Sequence, residues 1–155
     1  MDYGPFSMQG EYMFAVLHGS SADNGMFKDD VDDMYLYAFY VMASYFLTGE
    51  HRPYNRSDGH YDRPKPKKNF LQGGWGAFEV ALRFSMIDLT DAAAVNPGMG
   101  GKEKNITVGL NWYLNPNTRM ILNYVHGWVD DRTVNEVDLD NDGFGVYMMR
   151  FQVDL

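Results

Sequence analysis

Six segments of this 155-residue chain alternate apolar and polar residues with period 2, and none carries a helical stripe. The first, Pro5 to about His18, sets Phe6, Met8, Tyr12, Phe14 and Val16 against Ser7, Gln9 and Glu11. The second, about Met34 to Thr48, keeps Tyr35, Tyr37, Phe39, Val41, Ala43, Tyr45 and Leu47 in phase opposite a mixed face of Tyr40, Met42, Ser44, Phe46 and Thr48. The third, about Trp75 to Leu89, opposes Phe78, Val80, Leu82, Phe84 and Met86 to Glu79, Arg83 and Ser85. The fourth, about Asn105 to Leu114, opposes Ile106, Val108, Leu110, Trp112 and Leu114 to Asn105, Thr107 and Asn111. The fifth, about Arg119 to Val129, carries Met120, Leu122, Tyr124 and Trp128 opposite Arg119 and Asn123. The last carries Tyr147, Met149, Phe151, Val153 and Leu155 opposite Arg150, Gln152 and Asp154. A chain written this way is all-β and antiparallel.

Two solvents could face the apolar side. A soluble β-sandwich buries it in a core. Segments of roughly 11–15 residues, however, exceed the usual globular strand and suit tilted membrane strands. Aromatic residues make up 15% of the chain and gather near the segment ends, at Phe6, Tyr35, Tyr45, Trp75, Trp112 and Trp128, where interfacial girdles sit. Asn115-Pro116-Asn117-Thr118 reads as a tight turn, whereas 19–33, 90–103 and 130–142 are long and polar. Short turns at one end and long loops at the other are the habit of an antiparallel transmembrane β-barrel. Segment 49–74 departs from it, falling at the short-turn end by parity. No run approaches ~18 apolar residues, so a membrane helix is excluded.

At this point the chain resembles a family. Gly4-Pro5-Phe6-Ser7-Met8-Gln9-Gly10-Glu11-Tyr12, Ala43-Ser44-Tyr45-Phe46-Leu47-Thr48-Gly49-Glu50-His51-Arg52, Gly74-Trp75-Gly76-Ala77-Phe78-Glu79, and Gly109-Leu110-Asn111-Trp112-Tyr113-Leu114-Asn115-Pro116 through Asn123-Tyr124 are similar to the C-terminal part of phosphate-selective porins of the O/P type. The resemblance implies a bacterial outer-membrane barrel of about 16 strands, usually trimeric, that conducts anions such as phosphate or polyphosphate. Residues 1–155 would then be the C-terminal part of a single barrel domain, about six strands of it. The remaining strands would come from the same longer chain or from a partner chain. The family's arginine ladder lies largely outside these strands, so phosphate selectivity is not carried over residue by residue. The pattern from Tyr147 to Leu155 resembles the C-terminal signal of barrel assembly, with Leu in place of the usual Phe. Nothing at Met1-Asp2 reads as a signal peptide, so any targeting segment is expected outside this sequence.

If the apolar face meets lipid, the other face lines water. The candidate pore-lining residues are Glu79, Arg83, Asn111, Arg119, Asn123, Arg150 and Gln152, joined by Gln9, Glu11 and Asn105. Arg83, Arg119 and Arg150 are the ones expected to attract anions, because a guanidinium fork matches phosphate oxygens. The plainer reading pairs Arg83 and Arg150 with Glu79, Glu11 or Asp154 across neighbouring strands. Leu110, Leu122 and Phe151 should face lipid while Asn111, Asn123 and Arg150 face the lumen. Segment 49–73 holds Arg52, Arg56, Arg63, Lys65, Lys67 and Lys68, out of 13 Lys plus Arg in the chain. It is expected to fold back towards the pore and focus anions; otherwise it is a solvated periplasmic connection. Pro53, Pro64 and Pro66 argue against a helix there.

Asp138-Leu139-Asp140-Asn141-Asp142-Gly143 repeats the opening of a calcium loop, but its twelfth position is Met149 rather than glutamate. Asp138, Asp140 and Asp142 are therefore a weak metal candidate beside the default of a solvated acidic loop; Asp29-Asp30-Val31-Asp32-Asp33 is weaker still. No metal and no cofactor are expected. The absence of cysteine removes thiolate chemistry, and no Ser-His-Asp, HExxH or glycine-rich phosphate loop is present, so no enzyme is expected. A net charge of −8 opposes nucleic-acid binding. Two functions stand: a diffusion pore for small anionic solutes such as phosphate, or a barrel serving as a structural or docking subunit of a larger envelope assembly.

Overall fold

A computed structural model describes residues 1–18, 33–55, 57–94, 100–130, 133–134, 137–138 and 142–154. The strands are β1 (Asp2–Tyr3), β2 (Phe6–Leu17), β3 (Met34–Phe46), β4 (Tyr54–Asn55), β5 (His60–Tyr61), β6 (Ala77–Asp88), β7 (Lys102–Asn115), β8 (Thr118–Asp130), β9 (Thr133–Val134), β10 (Val137–Asp138) and β11 (Asp142–Val153). One antiparallel sheet in the order β1-β2-β3-β6-β7-β8-β11 contains every long strand. It is open. The two-residue pairs β4–β5 and β9–β10 lie outside it, and the single helical feature described is a 3₁₀ turn, Thr90–Ala94.

The six long strands are those the alternation predicts, with ends moved by a few residues. β7 begins at Lys102 rather than near Asn105, and β11 at Asp142, well ahead of Tyr147. Cross-strand partners in an antiparallel ladder share a face, so the register tests whether the six phases agree. They do. Met8 stands opposite Ala43, Ala43 opposite Leu82, Leu82 opposite Val108, Val108 opposite Tyr124 and Tyr124 opposite Tyr147. One residue away, Gln9, Met42, Arg83, Thr107, Val125 and Val146 form the matching row on the other face. A slip of one residue at any seam would have broken this agreement. Leu110 and Leu122 therefore share the apolar face with Phe151, and Asn111, Asn123 and Arg150 lie on the other.

Among the described residues no second layer covers the apolar face. Leu82, Val108, Tyr147, Met149 and Phe151 are all exposed, and the core reduces to Phe46, Ala77 and Tyr113 on the opposite face at the short-turn end. A sandwich would have covered that surface. Strands of 12 to 14 residues at ~3.3 Å per residue, tilted by ~40°, reach roughly 30–35 Å, the depth of a hydrocarbon layer.

Both ends of the apolar face are banded. Towards the long connections it carries Tyr37, Trp128 and two ion pairs, Lys102 with Asp88 at 3.1 Å and Lys104 with Asp130 at 2.8 Å. Towards the short turn, Phe78 stacks on Trp112 with centroids 5.6 Å apart.

Candidate functional site

Segment 47–76 joins β3 to β6 at the short-turn end. Its start and finish are tied together. Leu47 N–H donates to the Phe78 carbonyl at 2.8 Å, and Thr48 Oγ1 accepts the Phe78 amide at 3.1 Å. Gly49 turns the chain with a φ of +78°, a left-handed conformation that favours glycine. The buried Glu50 carboxylate then accepts from the Thr48 hydroxyl and from the Lys67 amide, and Lys67 Nζ donates to the Thr48 carbonyl at 3.1 Å. Burial pushes the Glu50 carboxyl up, but those two hydrogen bonds, with Glu50's own amide and the Lys67 charge, outweigh it and hold it below the ordinary carboxylate range.

From there the strap crosses the polar face of the sheet. Arg52 reaches Glu79 on β6, with Nε 3.0 Å and Nη2 2.6 Å from Oε1. The other carboxylate oxygen accepts Asn111 Nδ2 and the Tyr113 hydroxyl, both at 2.9 Å. Glu79 is 0% exposed, and the four donors satisfy both of its oxygens. The β4–β5 hairpin follows, closed by Tyr54 against Tyr61 with ring centroids 5.1 Å apart. Tyr61 donates to Asp2 beside β2 at 2.7 Å, and Arg63 Nη1 donates to Asn117 of the β7–β8 turn at 3.1 Å. The strap thus reaches from one side of the sheet to the other. With the wall it encloses a cleft of about 230 Å³ lined by Arg52, Arg63, Arg119, Tyr113, Asn117 and Asp154, among others.

The remaining candidates are distributed along the same face. Arg119 donates to Gln152 Oε1 from Nε and Nη2, at 3.2 and 2.9 Å, and Gln152 in turn donates to Asp154. Arg83 lies over the Tyr40 ring at 4.3 Å rather than against a carboxylate. Arg150 is exposed two residues before Gln152, on the same face of β11. Asn123 packs near Gly109. Lys65 and Lys68 are exposed on the strap. Arg56, Asp140 and Leu155 lie outside the described residues, as do 29–32, and the side chains of Asp138 and Asp142 are likewise not described. Sequence reasoning missed the Arg52–Glu79 link and Tyr113. Tyr113 shares the parity of Asn111, a signal that could have found it, but nothing in the sequence pairs positions 52 and 79.

A two-faced open sheet, apolar without cover on one side and polar with an inserted strap on the other, is a piece of barrel wall. The family model of phosphate-selective porin O and P matches residues 1–155. The chain belongs to that family. It is 34% identical over 146 residues to Porin O of Pseudomonas aeruginosa, covering 91% of this chain and 31% of that protein. It is also 35% identical over 85 residues to an uncharacterized protein of Caulobacter vibrioides, 55% of this chain and 16% of that one. The chain therefore spans about a third of the Pseudomonas relative and less of the other. It is a segment of an outer-membrane porin of the Gram-negative type.

Two outcomes follow from the strap's anchors. Arg52→Ala leaves a buried carboxylate without its cation and should cost about 3 kcal/mol in urea unfolding of the complete barrel; Arg52→Met with Glu79→Gln should recover more than half of it. Because Glu50 is held below the ordinary carboxylate range, its contribution is full above that range and is lost as pH falls through the lowered value. The stability advantage of wild type over Glu50→Gln should be flat down to the ordinary range and shrink below it.

Proposed function

We propose that residues 1–155 form the C-terminal part of a porin barrel domain whose lumen passes small anions, phosphate among them, in preference to cations. One observation carries the reading: among the described residues, Arg63, Arg83 and Arg119 of the polar face make no ion pair with a carboxylate. Arg63, Arg83 and Arg119 rest on Asn117, the Tyr40 ring and Gln152, all neutral groups. Glu79, the acid set deepest in that wall, is consumed by Arg52. Asp88 and Asp130 are paired with lysines on the outward face, away from the lumen. Eleven of the 21 Asp and Glu residues fall in 19–33 and 130–142.

Along the strands the guanidiniums stand at different heights. Arg119 is level with Gln152 and, through Tyr113, with Ala77. Arg150 is then ~7 Å higher and Arg83 ~20 Å higher, at ~3.3 Å per residue. An anion descending the wall exchanges hydration water for one guanidinium fork after another, each binding it weakly enough to release it. The strap adds Arg63, and Arg52 paired with Glu79, at the short-turn end, where both arginines line the cleft and act on it from within a Debye length of ~8 Å. The homotrimer that the resemblance implies would pack through the outward face and leave this path untouched.

The test is electrical. In the complete barrel, Arg63→Gln with Arg119→Gln should lower the anion-over-cation permeability ratio at least two-fold. The effect, read as a reversal potential in a salt gradient, should be largest at low ionic strength. An unchanged reversal potential at low salt contradicts anion selection by these groups.

A further inference from the structure

We infer that the turn 68–75, at the end of the strap, is an interfacial anchor that seats anionic phospholipid of the leaflet on the short-turn side. This goes beyond the channel reading and uses the opposite face of the wall. After crossing the polar face, the strap passes under the strand ends and is fastened to the outside. The register of β7 against β8 shifts between Tyr113 and Asn115, and the Leu114 carbonyl accepts the Phe70 amide at 2.8 Å. The Trp112 indole donates to the Trp75 carbonyl at 2.7 Å, and the Phe70 ring meets Trp112 edge-on with centroids 5.0 Å apart. Trp112 and Phe78 are in phase with Leu110 and Val80, so the turn continues the lipid-facing band.

What the turn presents has no use in water. Leu71 is 85% exposed and Trp75 74% exposed. Leu71 also holds a φ of +61°, the left-handed conformation that disfavours side chains with a Cβ, although Gly73 and Gly74 stand two and three residues away. The strained position thus carries the turn's most exposed apolar side chain. An apolar tip with an adjacent tryptophan is what the boundary between acyl chains and headgroups accepts. Lys68 stands at the neck, where its carbonyl accepts the Gly76 amide at 3.2 Å. Its ammonium is exposed and has no hydrogen-bond or ion-pair partner among the described residues. A lysine beside a buried apolar tip lies at the depth of the lipid phosphates, and in a chain of net charge −8 it marks a basic contact for an anionic headgroup.

The complete barrel is reconstituted in phosphatidylcholine vesicles with and without phosphatidylglycerol, and its thermal unfolding is recorded. Wild type should unfold at a higher temperature when phosphatidylglycerol is present. Lys68→Gln and Leu71→Gly should each retain less than half of that increment, with reversal potentials unchanged from wild type. A residue that only shaped the turn would shift unfolding equally in both vesicle types. Equal shifts, a full increment in both variants, or no increment in wild type would overturn the assignment. A failure here leaves the conductance reading standing, since the two are measured separately.

Discussion

Hydrocarbon offers the peptide group no hydrogen-bond partner, and the rest of this structure depends on that fact. Every amide and carbonyl crossing the layer must be paired sideways, so the chain crosses as long strands. Strands β3, β6, β7 and β8 each bond to a long neighbour on both sides, and β2 and β11 stand next to the open edges. Pleating then sends alternate side chains to opposite faces, which is why Leu122 and Asn123, adjacent in sequence, stand on different sides of the wall. The same rule requires the open edges of this sheet to meet further strands, in keeping with a chain that spans 31% of the Porin O sequence it resembles.

Fastening an aqueous strap to such a wall needs an attachment that survives in water. The structure uses a carboxylate withdrawn from solvent altogether. Glu79 is closed over by Arg52, Asn111 and Tyr113, and the exchange of four donors for its lost hydration lets a charge lie buried at the foot of the sheet. Phe46 and Tyr113, with rings 5.8 Å apart, cover it. Gly76 makes the return into β6 possible: it is buried with a φ of +78°, and a Cβ there would collide with the Tyr113 carbonyl. The strap therefore touches both faces, meeting the polar face at Arg52 and the apolar side at Phe70.

The strands and their faces were legible because a period of 2 is a local signal repeated over a dozen residues. The family was legible for a related reason: its motifs lie on those strands and their turns. Strand ends were less so, since Lys102 to Lys104 and Asp142 to Val146 extend the ladders through residues whose alternation is weak or glycine-rich. The path of 47–76 was not legible. Its prolines excluded a helix, and its charges suggested a lumenal rim, but the link between Arg52 and Glu79 spans 27 positions with no periodicity to betray it. The basic character of the segment also concealed a division, with Arg52 and Arg63 on the polar face and Lys68 beside the outward turn.

The two-solvent wall is tested most directly by depth-dependent quenching along β8. Single tryptophans are placed at each position from Met120 to Val125 in a complete barrel whose other tryptophans are replaced by phenylalanine, reconstituted in lipid brominated on its acyl chains. Positions 120, 122 and 124 should be strongly quenched and 121, 123 and 125 hardly at all. Uniform quenching, or quenching in the opposite phase, would contradict the account.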